Sequence, residues 1–562
     1  MQTDKFTRHD AIALLSLGIA SIAIHWRFFL GEDILGHDVM WHTLWINHFS
    51  QHIQDGVIYP RWLAETNYGY GSPTFVFYPP LPYYFAFLFK GLANWSMNWT
   101  FAGVYSLTSF LSGLGMYGYR RRAWGRFAAL MAGLLFLLAP VCFVDRYARA
   151  ALSAAVATMW LPWGLWLTDA AATHPRARWG VAGVSAGLTI SNLPALLLFV
   201  LLWVPYAVAT QWRRGWRTLL ATLASIGFGW GLVGTYIIPA AFERHLVRID
   251  ESIPSVAGGV LLNLIGASNP NGFVNNAAKI WTVDVVCFVV ALCAAVAICA
   301  KRKQGWSVSG QMALAFGLLI FLTHRVSAPI WANISLLEYV QFPWRLLPVM
   351  SLLVAWAIGY VLSFAKMQPR WLGAAALCVG LGLLALRSAV GVAVALDAAS
   401  IQNNTKADRY NPEVVERIEL AAQRPLVPAL EDVPEYRPAQ TSPPIPNEPL
   451  ISFSGSAELE RWTPNDRAVT TEATAPSTLA FRLYCYPAWK LELDGQPQNL
   501  NCSPDGTIEV EVPSGKHRVS LHYGWTTASR SGAVVAVAST LAMFVLSSST
   551  NRDISQKRPD EA

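Results

Sequence analysis

The stretch "LLPVMSLLVAWAIGYVLSFA", residues 346–365, decides the fold class of this chain. A charge-free apolar run of this length is long enough to cross about 30 Å of hydrocarbon as an α-helix. It is followed at once by Lys366, a basic residue of the kind that flanks spans on the cytoplasmic side. The stretch therefore predicts a transmembrane helix.

Similar apolar runs recur along the whole chain. They lie near 11–30, 100–119, 127–144, 151–170, 218–240, 281–300, 309–323, 371–395 and 531–549. The stretch 179–211 is too long for one span, and "SNLP" at 191–194 breaks it, so it predicts two short helices. Together the runs predict an α-helical polytopic membrane protein of about twelve transmembrane helices. The first run is expected to stay in the protein as a transmembrane helix and not to be cleaved as a signal peptide.

The composition agrees with a membrane protein, since 54% of the 562 residues are hydrophobic and only 14% are charged. A net charge of +7 would suit an acidic partner, but the basic residues lie in short clusters such as "YRRRAWGR" at 119–126 and "KRK" at 301–303. Such clusters are typical of topology signals, so we expect no nucleic-acid partner. Their alternation predicts that both termini lie in the cytoplasm.

The same alternation leaves three long segments on the outer face, residues 31–98, 243–280 and 397–530. Connections of this length inside a helical bundle usually carry function or a separate domain. In the first of them Trp41, Trp45 and Phe49 recur at helical spacing, which predicts a short amphipathic helix lying in the interface. The stretch "YPPLPYYFAFLFKGL" predicts a second one.

The last outer segment has the alternation of β-strands. The predicted strands are "TLAFRLYCY" at 478–486, "WKLEL" at 489–493, "TIEVEV" at 507–512 and "HRVSLHY" at 517–523. They predict a small extracytoplasmic β-sandwich-like domain that contains Cys485 and Cys502. A disulfide between these two cysteines would add about 3 kcal/mol of stability.

The predicted organisation has three parts. Residues 1–396 form a transmembrane domain that includes the first outer loop 31–98 with its interfacial helices. Residues 397–530 form an extracytoplasmic linker and the β-rich domain. Residues 531–562 form a final transmembrane helix and a cytoplasmic tail.

Three stretches carry a family resemblance. They are "GHDVMWH", "YPRWLAETNYGYGSPTFVFYPPLPYY" and "LEYVQFPWRLLPVM". They resemble the bacterial membrane family labelled 6-pyruvoyl-tetrahydropterin synthase-related, which looks like a branch of the C-type glycosyltransferase (GT-C) fold. The segment from "YCYPAWKLELDGQ" to "HRVSLHYGWT" is similar to the β-domain of YfhO-like membrane proteins.

The pterin-synthase label itself does not describe chemistry that this chain offers. That reaction needs three zinc-bound histidines and a catalytic cysteine in a soluble fold, and no cysteine lies in the histidine-bearing outer loop. What the GT-C resemblance implies is an inverting transfer of a sugar from a polyprenyl-phosphate carrier, with an acidic residue of the first outer loop as base.

Asp38 is the expected base, because it stands in "GHDVMWH" one helical turn before His42, which would orient it or share its proton. Flanking acids and tryptophans should raise its proton affinity. Asp33 is the second candidate, although acids this close to the end of a span, Glu32 included, often only solvate a helix terminus.

Histidines are concentrated in the same loop and also suggest a metal. His37, Asp38 and His42 are the expected ligands, and a divalent cation is the cofactor that this set allows. His48 and His52 are spaced i, i+4 on one helical face, but an interfacial helix tolerates imidazole without any metal.

Arginines on the outer side run against the positive-inside trend. Arg146 and Arg149 in "DRYAR", Arg345 in "QFPWR" and Arg61 in "YPRW" are expected to hold the donor phosphate, because a guanidinium fork suits phosphate oxygens. The alternative is that they reach lipid headgroups or pair with Asp145 and Glu338.

Aromatic side chains of the first loop complete the predicted site. Tyr70, Tyr78 and Trp41 are expected to contact the sugar, although an aromatic belt at the membrane surface also explains them. The leading prediction is thus a membrane glycosyltransferase whose partners are a polyprenyl-phosphate sugar lipid and an envelope glycan, lipid or protein acceptor. The alternatives are a non-enzymatic lipid or polysaccharide transport protein and a family member that has lost activity.

Overall fold

The computed structural model describes residues 6–31, 34, 36, 38–249, 260–267, 272–302, 306–365, 370–409 and 431–548. Within these ranges the chain is mostly helical and has a β-sheet domain near its C-terminal end. The helices are α1 (Arg8–Ala23), α2 (Trp26–Phe29), α3 (Val39–Gln54), α4 (Thr74–Phe77), α5 (Leu81–Phe87), α6 (Met97–Trp124), α7 (Arg126–Leu137), α8 (Pro140–Phe143), α9 (Leu152–Ala171), α10 (Ala177–Thr189), α11 (Leu193–Gln211), α12 (Trp216–Leu232), α13 (Gly234–Phe242), α14 (Gly272–Arg302), α15 (Trp306–Thr323), α16 (Ala328–Asn333), α17 (Leu347–Leu362), α18 (Arg370–Arg409) and a last helix, Thr527–Ser548. The predicted division into a helical part and a small β domain is confirmed.

Several helices are long and apolar enough to cross a membrane. In the described ranges they are Leu193–Arg214, Ala277–Ala300, Pro343–Leu362, Gly373–Ala393 and Thr527–Ser548. Two bent pairs of helices would raise the number of spans from five to seven if each pair crosses once. Helices stand at all of the predicted apolar runs, but several are shorter or more polar than a full span requires. The predicted number of about twelve spans is therefore not confirmed.

One of the bent pairs shapes the site described below. Helix α7 and the segment Pro140–Ala148 meet at 41°. Ala139 is extended at the bend, as the residue before a proline prefers to be. The second arm ends in one turn of π-helix, Val144–Ala148, which widens the turn that carries Asp145 and Arg146. The chain then leaves the helix through Ala150, whose φ of +54° is unusual for a residue with a side chain.

Helix α3 occurs where the tryptophan spacing predicted a helix, and most of it is covered by other parts of the chain. Every residue from 42 to 50 is buried. Trp45 and Phe49 pack against Phe75 and Tyr83 of the same outer loop. The loop thus forms a folded layer of its own, and α3 is its central element. The second predicted interfacial helix is α5, continued by a π-helical turn over Leu88–Leu92.

The β domain consists of two antiparallel sheets. Its strands are β1 (Ile451–Ser452), β2 (Ser456–Trp462), β3 (Asp466–Ala473), β4 (Ser477–Tyr484), β5 (Trp489–Leu493), β6 (Gln496–Gln498), β7 (Asn501–Cys502), β8 (Thr507–Val512) and β9 (Gly515–Tyr523). One sheet has the order β1-β4-β8-β7 and the other β2-β3-β9-β5-β6. Their apolar faces share one core, so the domain is a sandwich. Trp62 and Tyr70 of the outer loop belong to that core, and the loop and the domain are therefore packed together.

The structure joins Cys485 and Cys502 in a disulfide, the pairing that the sequence suggested. This bridge provides a test of the predicted topology, because disulfides persist outside the cytoplasm. In a variant that keeps only these two cysteines, we expect a membrane-impermeant maleimide to label intact cells only after a reductant is added. Labelling without reductant would contradict the bridge, and labelling only after lysis would place the domain in the cytoplasm.

Candidate functional site

A cleft with a volume of about 90 Å³ lies between the outer loop and the helical part of the chain. Asp38 and His42 from the start of α3 line one side of it, and Tyr78 follows α4 on the same side. The facing wall carries Arg149 and Arg345. Sequence reasoning had assigned all five of these residues to one site, and the structure brings them together in one cleft.

Asp38 is placed by a close backbone contact. Its amide N–H donates to the carbonyl oxygen of Arg149 at 2.9 Å, so the outer loop is tied to the turn that follows the π-helix. Gly36 makes this approach possible, because a Cβ built there would lie 2.3 Å from the Cβ of Ala150. The unusual conformation of Ala150 thus belongs to a junction that fixes the Asp38 backbone at the cleft.

Gly36→Ala should therefore disturb the cleft rather than the helices. We expect a loss of about 1 to 3 kcal/mol in stability, since overpacking a close backbone contact forces the chain apart. Scanning fluorimetry of the purified variant in detergent measures the change. Gly18→Ala in α1 is the matched control, because a Cβ there meets nothing within 4 Å. Equal melting temperatures for the two variants would contradict the tight junction.

The charged side chains of the cleft contact one another in the order Asp145, Arg149, Asp38. The Arg149 guanidinium donates to the Asp145 carboxylate at 2.7 Å, and its second nitrogen lies 3.9 Å from the Asp38 carboxylate. The same guanidinium lies over the Trp344 ring, with 4.8 Å between its carbon and the ring centroid. The Arg149 guanidinium thus lies beside two carboxylates, those of Asp145 and Asp38.

Arg345 approaches the cleft from the start of α17. Its guanidinium donates to the carbonyl oxygen of Val340 at 2.8 Å and lies 4.8 Å from the centroid of the Phe342 ring. A guanidinium has five N–H donors, and this backbone contact uses one of them. Arg149 and Arg345 line the cleft together with Asp38 and Asp145, so two guanidinium groups and two carboxyl groups meet there.

Two polar side chains of the cleft, His42 and Tyr78, are neutral. The pKa of His42 is lowered to about 4, mainly by burial; the Asp38 charge opposes this shift and the Arg149 charge adds to it. The His42 Nδ1 is 2.6 Å from the Tyr83 hydroxyl oxygen. Burial also raises the pKa of Tyr78 to about 12, and this phenol accepts a hydrogen bond from Ser153 at 3.0 Å. At neutral pH, His42 and Tyr78 can orient a bound molecule without adding charge.

The remaining predicted residues lie elsewhere or outside the described ranges. Arg146 is buried and is not among the residues that line the cleft. Arg61 donates to the carbonyl oxygen of Gly524 at 3.0 Å and lies between the Tyr523 and Trp525 rings. Arg61 thus joins the outer loop to the end of the β domain.

The predicted aromatic contacts are also divided. Tyr70 is buried in the β-domain core, 4.9 Å from the Tyr484 ring, and Trp41 packs within the outer loop. Asp33 and His37 lie outside the described residues, so the predicted metal set of His37, Asp38 and His42 stays a prediction.

Several residues of the cleft were not assigned to a site from the sequence. They are Ser153, Thr158, Asn192 and Trp344. Asn192 caps α11 through a hydrogen bond from the Ala195 amide at 3.0 Å, so the "SNLP" break was a signal for a helix start facing the cleft. Ser153 and Thr158 lie on an ordinary apolar helix, where no local pattern marks them.

The fold and this cleft define a mostly helical protein with apolar helices of membrane-spanning length, a layered outer loop and a β-sandwich. No family model matches the chain. It is similar to an uncharacterized protein of Lactococcus lactis subsp. cremoris (strain MG1363), with 23% identity over 251 residues. The match covers 42% of this chain and 40% of that relative.

Proposed function

We propose that this chain is an integral membrane glycosyltransferase of GT-C type, which transfers a sugar from a polyprenyl-phosphate-linked donor to an envelope acceptor on the extracytoplasmic face of a bacterial inner membrane. The observation that carries the proposal is the cleft in which a carboxylate, Asp38, faces two arginines, Arg149 and Arg345. A base and a phosphate-binding wall are the two parts that such a transfer needs.

The proposed reaction is a single displacement at the anomeric carbon of the donor sugar. The acceptor hydroxyl oxygen forms a bond to this carbon, and the bond from the carbon to the phosphate oxygen breaks. The acceptor proton passes to the Asp38 carboxylate, and the electron pair of the broken bond leaves with the polyprenyl phosphate. Attack from the face opposite the phosphate inverts the configuration of the sugar.

The arginines would stabilise the leaving phosphate. Charge grows on that group as its bond to the sugar breaks, and preorganised cations lower the free energy of such a transition state. Arg149 is held in place by Asp145 at 2.7 Å and by the Trp344 ring, so its position costs little reorganisation during the reaction. Arg345 is steadied by its contact with the Val340 carbonyl oxygen.

Binding of undecaprenyl phosphate tests the role of the two arginines directly. We expect Arg149→Gln and Arg345→Gln each to weaken binding about ten- to a hundredfold, because a charge-assisted hydrogen bond contributes about 1.5 to 3 kcal/mol. Affinity can be measured by microscale thermophoresis with protein in nanodiscs. Arg61→Gln is the matched control, because Arg61 bonds to the end of the β domain. Equal affinities for all three variants would contradict the assignment of the wall.

The product class can be identified in cells. Mass spectrometry of envelope glycans and lipid-linked sugars from a deletion strain should show one class lost and its polyprenyl-linked donor accumulating. The wild-type gene should restore the profile. An unchanged profile of every glycan class would contradict the enzyme proposal.

A transport function is the second candidate, and one observation favours it. Asp284 of α14 and Arg387 of α18 form a fully buried ion pair at 2.7 Å within apolar helices. Ionisable groups inside membrane helices frequently mark the path of a transported substrate.

A further inference from the structure

A second cluster of polar side chains lies in the outer loop, away from the cleft. Helix α3 places His48 and His52 one turn apart on the same face, and both imidazoles are buried. Glu65 approaches them from the segment that follows α3. Its Oε2 lies 3.3 Å from His48 Nδ1 and 2.7 Å from His52 Nε2.

The Glu65 segment is held firmly by its own backbone. Leu63 and Ser72 exchange two backbone hydrogen bonds of 2.8 and 3.1 Å, and the Thr66 hydroxyl donates to the Leu63 carbonyl oxygen at 2.8 Å. The carboxylate is therefore presented by a closed turn, while the two imidazoles are presented by a buried helix. A site built on such supports is preorganised.

We propose that His48, His52 and Glu65 bind a zinc ion. Two imidazole nitrogens and one carboxylate oxygen form a known zinc donor set, which leaves a fourth position for water. One potential ligand atom from each residue lies within 4.8 Å of the other two. Tetrahedral coordination with bonds of about 2.0 to 2.2 Å requires ligand atoms about 3.3 to 3.5 Å apart, so only small movements are needed.

The donor set also discriminates between metals. Calcium and magnesium prefer shells made of oxygen, whereas two imidazoles favour zinc or its neighbours in the first transition row. The Arg467 guanidinium on β3 interacts electrostatically with Glu65 and adds positive charge near the site. The positive charge of Arg467 opposes the binding of a dication. The site therefore needs at least the one negative charge that Glu65 supplies.

The position of the cluster indicates a structural role. His48 is six residues beyond His42 on α3, which corresponds to about 9 Å along the helix axis. The ion would thus lie too far from the cleft to touch a molecule bound at Asp38. It would instead fasten α3, whose first residues line the cleft, to the turn that enters the β-domain core through Trp62.

Zinc binding by the full-length chain tests this proposal without any activity assay. Tag-free protein in detergent is stripped with a chelator, loaded with zinc sulfate, gel-filtered and analysed by mass spectrometry for metal. We expect one zinc ion per chain. His48→Gln and His52→Gln should each weaken zinc binding by at least about 100-fold, since loss of a supporting residue alone costs 10- to 100-fold.

His522→Gln is the matched control, because His522 also contacts a carboxylate, Asp466, at 2.7 Å but on the exposed face of the β domain. Cobalt replaces zinc for a spectroscopic readout on the wild-type chain, so the test does not depend on the variants folding. Strong visible absorption of four-coordinate cobalt is expected. Any one of three results would overturn the site. They are absence of bound metal in the wild type, a six-coordinate cobalt spectrum, and zinc binding that is unchanged in the histidine variants.

Discussion

Asp38→Asn should leave a folded, membrane-inserted protein with almost no transferase activity. The amide keeps the shape of the carboxylate but cannot take a proton from the acceptor hydroxyl. Loss of a general base typically lowers the rate by a hundred- to ten-thousandfold. The fold should tolerate the change, because Arg149 keeps its shorter contact to Asp145 and the Asp38 backbone contact does not involve the side chain.

The experiment is complementation of the deletion strain, with the glycan product quantified by mass spectrometry and the protein level by immunoblot. Asp55→Asn is the matched control, since Asp55 caps the far end of the same helix and its exposed carboxylate accepts a hydrogen bond from the Gln51 side chain at 3.1 Å. Normal product formation by Asp38→Asn would remove this residue from the chemistry. If Asp33→Asn were inactive instead, the base would move five residues upstream.

Periodicity and apolar length made much of the fold predictable. Helices stand at the predicted runs, and the strands β4, β5, β8 and β9 occur where alternation placed them. The strands β2 and β3 were missed, because the stretch from Ser456 to Ala473 has many exposed polar residues and little alternation of apolar ones. The burial of α3 was also missed, since its cover comes from residues that are distant in sequence, among them Asp432, which accepts from the Trp45 indole at 2.7 Å.

The candidate site was predictable in its residue types but not in its connections. Asp38, Arg149 and Arg345 stood out because charges are rare beside apolar runs. No sequence pattern could show that Gly36 meets Ala150, or that Arg61 turns toward Gly524 instead of the cleft. The alternative interpretation, in which the outer arginines pair with acidic residues, is also met in part. Arg149 pairs with Asp145 and lines the cleft as well.

Removal of one partner from the Asp284–Arg387 pair should have the largest effect on stability. The Arg387 nitrogens lie 2.7 and 3.0 Å from Asp284 Oδ1, Ser351 donates to Oδ2 at 2.6 Å, and both charged side chains are almost fully buried. Arg387→Met leaves the carboxylate without its counter-ion, which typically costs about 3 to 5 kcal/mol. We expect a lower melting temperature and reduced accumulation, whereas Arg370→Met at the exposed start of α18 should change neither.

The double variant Asp284→Leu with Arg387→Met distinguishes the two candidate functions. Replacing a whole buried ion pair with apolar side chains is often neutral or stabilising, so the double variant should recover the stability that Arg387→Met loses. In the glycosyltransferase this pair has a structural role, joining α14 to α18 and contacting Ser351 of α17 and Leu135 of α7. The recovered protein should therefore restore the glycan profile of the deletion strain. A transporter that moves its substrate past these charges would be stable in the double variant but inactive. Transport would be favoured over glycosyl transfer by two results together: a double variant that is stable but inactive, and an Asp38→Asn variant that is active.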